Sequence, residues 1–570
     1  MDNRRLILLF VFFFSLILLW GEWTKYSNPQ PPASVATSTT DPAAAAPQPS
    51  VSLQKDATAV PTAGEPASVA KAETITIKTD LYTAEVSTLG GDIVGLELNN
   101  YKAVEDKASN FKLFGAKHRY AAQSGLIGDG LPTHKSLFTA VPGARELGAG
   151  SDKLQLRLEA AAVDGVKVAR IYTFHRDSYL IDVTFEIDNG SEKTLAPHAY
   201  YQLQRDAHVP EGENWAVSTF TGPAVYTTQD KFQKVEFADI DKGKAKFNAK
   251  ADNGWLAMVQ HYFVAAWAPV PGTQREYYVR KVEGSGDPLY SAGLILPVAA
   301  AEPGGKTQIS TPLYAGPQIQ KTLEQLAQPV AGGGIGAEGL PLVVDYGWLT
   351  ILAAPIFWAL EKIHDLIGNW GWAIILLTIG IKAMFFPLSA ASYKSMAKMR
   401  AVAPRLQQLK ERFGDDKQRL NQEMMKLYSS EKINPLGGCL PVLVQIPVFI
   451  ALYWALLGAV EMRDAPWALW ITDLSSADPY YVLPVIMVVT MLVQTKLNPT
   501  PPDPMQAKIM MAMPFIFGAM FFFFPSGLVL YWTVNNLLSI AQQWKITRDI
   551  EGGGKSGGKP IAKAANDAKA

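Results

Sequence analysis

The stretch Ile509-Met510-Met511-Ala512-Met513-Pro514-Phe515-Ile516-Phe517-Gly518-Ala519-Met520-Phe521-Phe522-Phe523-Phe524 decides the class of this chain. A helix through Met520-Phe521-Phe522-Phe523-Phe524 has no polar face to offer water, so this segment belongs in lipid or in a fully apolar interior. Four more apolar blocks flank it: Trp370 to Leu388, Leu436 to Val460, Tyr480 to Thr495 and Leu528 to Ile540. Five such blocks after Asp345 read as transmembrane helices. Several are short, since sixteen residues at about 1.5 Å each reach only about 24 Å against a hydrocarbon layer of about 30 Å. A bundle of them tends to thin the bilayer around it.

Working toward the N-terminus, Tyr346 to Leu360 is a sixth apolar stretch, interrupted by Pro355 and followed by Glu361, Lys362, His364 and Asp365. Charge decides its place. The segment 392–434 carries ten Lys+Arg and five Asp+Glu, while the loop from Glu461 to Tyr480 has one Arg and four acids. Keeping the basic segments on the cytoplasmic side, together with Arg4 and Arg5, requires that Tyr346 to Leu360 does not span. The expectation is an interfacial amphipathic helix over 342–368, on the outer surface.

Residues 73–330 read differently. Leu154-Gln155-Leu156-Arg157-Leu158 and Leu180-Ile181-Asp182-Val183-Thr184-Phe185-Glu186-Ile187 alternate with period two, and Gly90-Gly91-Asp92, Asp188-Asn189-Gly190 and Asp252-Asn253-Gly254 supply turns. This predicts a large antiparallel β-sandwich. Its aromatic residues Trp215, Tyr226, Trp255 and Trp267 are core or the lining of a cleft. Ahead of it, residues 27–72 form a Pro/Ala-rich linker, with eight prolines and eleven alanines between 27 and 70. Residues 1–26 hold Arg4-Arg5 and then an apolar run from Leu6 to Trp20. That run is a cleaved secretory signal or a membrane anchor, and the bulky, charged Gly21-Glu22-Trp23-Thr24-Lys25 favours the anchor.

The chain as a whole has 570 residues, 52 Lys+Arg against 52 Asp+Glu, and only 18% charged residues. Zero net charge argues against a general polyanion binder, and a single cysteine, Cys439, against disulfides or Cys-cluster metal sites. Gly304-Gly305-Lys306-Thr307 lacks the first glycine of a phosphate loop, since Ala300 stands there. No HExxH and no G-x-S-x-G occurs. The expectation is a non-enzymatic protein without metal or cofactor.

What stands out is polarity inside the apolar blocks. Lys382 lies in Ile379-Gly380-Ile381-Lys382-Ala383-Met384-Phe385, where an exposed charge costs about 2.5–3.5 kcal/mol on insertion scales. It either snorkels toward the interface or faces protein and water. Thr378 sits one turn away, and other blocks carry Gln445, Gln494, Asn535 and Asn536. Together they predict a wet cavity within the bundle. Between the second and third spans, Met396, Met399, Val402, Leu406, Leu409 and Phe413, a turn at Gly414-Asp415-Asp416, and Leu420, Met424 and Leu427 predict a helical hairpin over 392–434.

Asn434-Pro435-Leu436-Gly437-Gly438-Cys439, Pro525-Ser526-Gly527-Leu528-Val529-Leu530-Tyr531-Trp532 and Met396-Ala397-Lys398-Met399-Arg400 resemble the YidC family of membrane protein insertases, in its Gram-negative form with a large periplasmic domain. The resemblance implies six transmembrane helices, five of them a core over 369–545, with the β-sandwich periplasmic and both termini cytoplasmic in the inner membrane. It implies a groove open to the cytoplasm and lipid that inserts nascent membrane proteins without nucleotide hydrolysis, alone or with Sec translocon components, among membrane lipids. A positive residue, usually arginine, marks that groove in the family, and Lys382 stands at the matching place, without the guanidinium fork. Thr378, Gln445, Tyr531 and Trp532 match positions that line or seal it, and the family often has a second tyrosine where Trp532 stands. The hairpin 392–434 and the basic tail 546–570 are the expected ribosome contacts. Two other classes differ in testable ways. A secondary transporter should show internal repeats, and a scaffold should lose activity with its β-domain and tolerate loss of the Lys382 charge.

Overall fold

The structure, a computed structural model, describes residues 72–210, 219–282, 287–414, 416–431, 440–498 and 504–552. The anchor, the linker, Trp215, the Asn434 to Cys439 motif and the tail beyond 552 lie outside the described residues. The described residues divide into two compact units, one up to Asp345 and one from Tyr346 onward.

Among the described residues the first unit holds two nine-stranded antiparallel sheets. One runs in the order Thr74–Lys78, Tyr82–Ser87, Ile93–Lys102, Ala121–Ile127, His198–Asp206, Leu289–Pro297, Arg275–Val282 and Lys250–Ala251, with Asn110–Phe114 pairing on Ile93–Lys102. The other runs Lys231–Lys234, Gly222–Thr227, Trp255–Gln260, Phe263–Trp267, Lys306–Pro317, Leu180–Asn189, Val166–His175, Lys153–Ala160 and Phe138–Ala140. The alternating runs behave as period two requires. Ile181, Val183, Phe185 and Ile187 are buried, while Asp182, Thr184, Glu186 and Asp188 between them reach the surface. Tyr226, Trp255 and Trp267 are core, with Tyr226 stacked on Trp255 at 5.6 Å.

The two sheets meet at a buried charge. Arg170, fully buried on Val166–His175, donates through Nη1 to the Gly90 carbonyl at 2.5 Å and through Nη2 to the Ser124 carbonyl at 2.6 Å. Gly91 has φ +65°, and a Cβ there would lie 2.7 Å from the Arg170 guanidinium, so only glycine lets the turn approach this closely. Asp92 faces the same guanidinium at 3.9 Å and accepts from Gln123 at 3.0 Å. Burial pushes its carboxyl up to about 7 even though Arg170 pulls the other way. Among the described residues this unit also holds two short α-helices, α1 (Phe237–Asp241) and α2 (Gln320–Ala327).

The second unit is helical: α3 (Thr350–Ile367), α4 (Trp370–Met384), α5 (Phe386–Phe413), α6 (Lys417–Ser430), α7 (Leu440–Gly458), α8 (Val482–Leu497), α9 (Pro504–Phe521) and α10 (Ser526–Gly552). Helix α3 buries Ala353, Phe357 and Leu360 and exposes Ile351, Trp358 and Leu366 on its other side, so both faces are apolar at different places. It ends at Gly368 (φ +67°), whose N–H bonds the His364 carbonyl at 2.7 Å. The Asn369 side chain caps α4 by accepting from the Trp372 N–H at 3.1 Å.

One expected boundary moves. The apolar block Trp370 to Leu388 is not one straight helix, because α4 stops at Met384 and α5 starts at Phe386, bent by 66°. Pro387 sits in the first turn of α5, where its missing N–H costs nothing; inside a continued α4 it would remove a hydrogen bond and clash with the preceding turn. The first helix of the hairpin therefore begins at Phe386 rather than near Ser392. Among the described residues no single helix is long and apolar enough to cross a membrane, although α4 and α5 qualify as a bent pair. Helix α10 packs against α4, α5 and α8, and α3 packs against α4 and α7.

Candidate functional site

The helices of the second unit surround a polar cavity of about 310 Å³. Each wall follows from helical spacing. On α10, Trp532, Asn535, Asn536 and Ser539 recur three or four residues apart and so share a face. Lys382 enters from the last turn of α4, Gln445 from α7, Gln494 and Thr495 from the end of α8, and Ser389, Ser392, Tyr393 and Met396 from the start of α5. The bend at Phe385 brings this last group in, because a straight continuation would carry it off in another direction.

Lys382 is 7% exposed. Its ammonium donates to Ser539 Oγ at 2.8 Å and, at the long limit of 3.5 Å, to Gln445 Oε1. Gln445 Nε2 donates to Asn535 Oδ1 at 2.7 Å, and Ser539 Oγ donates to the Asn535 carbonyl at 2.7 Å. Among the described residues no acidic side chain lines the cavity. A buried cation normally carries an ionic partner, so one held by neutral oxygens beside open polar space is ready to take an anion.

One end of the cavity closes on rings. Phe449 stacks near Tyr531 at 6.0 Å and meets Trp532 edge-on at 4.5 Å, and Phe521 lies 5.4 Å from Trp532. Beyond them the Pro525-Ser526-Gly527 turn is pinned to the loop before α8. Ser526 Oγ donates to the Asp473 carbonyl at 2.9 Å, the Ser526 N–H to Ser476 at 2.7 Å and the Gly527 N–H to Leu474 at 2.9 Å. That loop is itself ordered by buried Asp478, which accepts from Trp470 Nε1 at 2.9 Å and from the Leu483 N–H at 2.8 Å.

Of the residues expected from sequence, Lys382, Gln445 and Trp532 line the cavity. Tyr531 is buried beside Gln445 and Phe449 rather than on the wall, and Thr378 is buried with its hydroxyl bonded to the Ile374 carbonyl of its own helix at 2.6 Å. Ser389, Ser392, Tyr393 and Ser539 also line the cavity, although no sequence pattern marks the first three. For Ser539 the signal was present, four residues after Asn535 on an otherwise apolar helix. A larger concavity, about 900 Å³, lies on the outer face of the second sheet. Most of its charges are paired, Arg157 with Glu186 at 2.6 Å and Lys306 with Asp188 at 3.0 Å, as on a solvated face. Among the described residues no group of three or more His, Cys, Asp or Glu is placed to hold a metal ion.

A β-sandwich unit combined with an apolar helical unit that encloses a cation-bearing polar groove defines a membrane protein that hosts polar groups inside its apolar body. Residues 74–359 match the family described as YidC periplasmic domain, and residues 362–553 match the 60Kd inner membrane protein family. Membrane protein insertase YidC of Dechloromonas aromatica (strain RCB) is 64% identical over 571 residues, covering all of both chains. The insertase YidC of Aromatoleum aromaticum is 60% identical over 564 residues, covering 98% of this chain and 100% of its own. A crystal structure titled as an active YidC insertase with the first transmembrane domain resolved aligns over 84% of this chain and 94% of its own, at 19% identity and a TM-score of 0.39. The chain belongs to the YidC family of membrane protein insertases and is an inner-membrane protein with a periplasmic domain.

Proposed function

We propose that this protein inserts nascent membrane proteins through the groove headed by Lys382, without nucleotide hydrolysis. The observation that carries this reading is the buried ammonium held, among the described residues, by neutral oxygens in a polar cavity inside an apolar helical unit. An acidic exported end of the substrate enters from the cytoplasm and pairs with Lys382 where the dielectric is reduced, so the pair counts for more than it does in water. The neighbouring apolar segment leaves sideways into lipid and gains its transfer free energy there. Short helices thin the bilayer and shorten the path of the polar end.

The topology we propose has six spans with both termini cytoplasmic, supported by the Lys/Arg-rich segment 392–434 and the acidic loop 461–480 falling on opposite sides. In it α3 lies along the outer surface, and α5 with α6 forms the cytoplasmic hairpin that meets the ribosome together with the basic tail. Sec translocon components and lipids are the further partners.

Insertion of a small single-span protein with an acidic exported end into liposomes holding only this purified protein tests the reading. Wild type and Lys382→Arg should protect the substrate from protease, and Lys382→Ala should not. Equal insertion by all three would overturn the role of the charge. No insertion above empty liposomes would overturn autonomous activity.

A further inference from the structure

The groove charge is a lysine, a compact ammonium on a flexible four-carbon stem, and something must fix where it sits. Left to itself, a stem in the last turn of α4 lets the ammonium swing outward toward water. Ser539 is the side chain that opposes this. It is buried, and its hydroxyl has one hydrogen and two lone pairs. The hydrogen is spent on the Asn535 carbonyl one turn back, at 2.7 Å. Only lone pairs therefore face the ammonium, which lies 2.8 Å away. Gln445, the other contact, is 3.5 Å from Lys382, and its amide is turned by a 2.7 Å bond to Asn535. Among the described residues one short bond and one long one use two of the three ammonium donors, which leaves the third for a substrate.

We propose that Ser539 is a positioning residue that holds the Lys382 ammonium in the groove and thereby sets the preference for acidic over neutral exported ends. This rests on the insertase reading above. In this proposal Ser539 acts through Lys382 rather than on the substrate itself. An arginine at 382, with five donors in a rigid fork, would reach several of these oxygens at once and need the post less.

The test uses full-length protein in liposomes and two substrates that differ only in whether the exported end carries carboxylates or their amides. Ser539→Ala should lower insertion of the acidic substrate on the order of tenfold, as loss of a hydrogen bond to a charged group does, and leave the amide substrate within about twofold. Ser539→Thr keeps the hydroxyl and should restore the preference. In a Lys382→Arg background, Ser539→Ala should change the preference much less. Should Ser539→Ala not be recovered folded, Ser539→Cys keeps the size while weakening the acceptor, and the same loss is expected. An unchanged acidic-to-amide ratio, or an equal fall with both substrates, overturns the proposal. If Lys382→Ala itself leaves the ratio unchanged, the charge-guided reading fails; if it collapses the ratio and Ser539→Ala does not, only the positioning role fails.

Discussion

Replacing Arg170 by methionine separates the stability of the β-domain from the work of the helical unit. The guanidinium is fully buried, donates to the carbonyls of Gly90 and Ser124, and lies 4.8 Å and 4.7 Å from the ring centres of Phe138 and Phe185. A buried carbonyl deprived of its donor costs about 1–3 kcal/mol. A desolvated guanidinium over a ring contributes about 2 kcal/mol. Methionine returns part of this through its apolar stem, leaving a net loss of about 4 kcal/mol, against a total stability of about 5–15 kcal/mol for an ordinary domain. That corresponds to a fall of roughly 10 °C in the β-domain transition. Calorimetry of the full-length protein in detergent at pH 6 is the assay, since Asp92 is then largely neutral and adds little uncompensated charge. Liposome insertion measured below the lowered transition should match wild type, because Lys382 and its partners belong to the other unit. A transition within 2 °C of wild type would refute the view that Arg170 joins the sheets. Loss of insertion with the β-domain still folded would favour a scaffold role for it.

Acid sensitivity should change when Asp92 is replaced by asparagine. The folded chain keeps a proton on Asp92 between about pH 4 and 7 that the unfolded chain has released, so this group makes stability fall as pH rises through that window. Burial pushes His134 down to about 4, so between about pH 6.5 and 4 the unfolded chain takes up a proton that the folded one refuses, and stability falls as pH falls. These slopes oppose each other in the wild type. Asp92→Asn removes the first slope and keeps the second, and its denaturant midpoint should drop steadily from pH 7 to 4.5, where the wild type stays flatter. In the helical unit, a Cβ added at Gly371 would lie 2.2 Å from the Trp467 ring, whose backbone carbonyl is held by Asn369 at 3.1 Å. Gly371→Ala should therefore destabilise by about 1–3 kcal/mol, read as a lowered melting temperature in detergent.

The β-sandwich was legible because alternation is a local property. Leu180 to Ile187 declares its two faces without reference to any other strand, and the turn residues mark where the runs stop. The sheet partners were not legible, because Arg170 finds its carbonyls on residues 80 and 46 positions away. The kink at Phe385 was half legible. Pro387 was visible, but that α5 runs unbroken from it into the hairpin, carrying Ser389 and Ser392 into the cavity, depends on how the helices pack.

The same division holds at the site. Lys382, Gln445 and Asn535 announce themselves as polar groups in apolar blocks, where each is costly unless satisfied, so a polar interior followed from composition and position alone. Which of them meet did not follow. Thr378 looked equivalent to the others and turned out to satisfy itself on its own helix, whereas Ser539, small enough to pass for packing, holds the ammonium from 157 residues away. Hydrophobic pattern and charge are written along the chain and set the class of protein. Hydrogen bonds between distant helices exist only once packing has closed the bundle, and so the groove's partners had to come from the folded molecule.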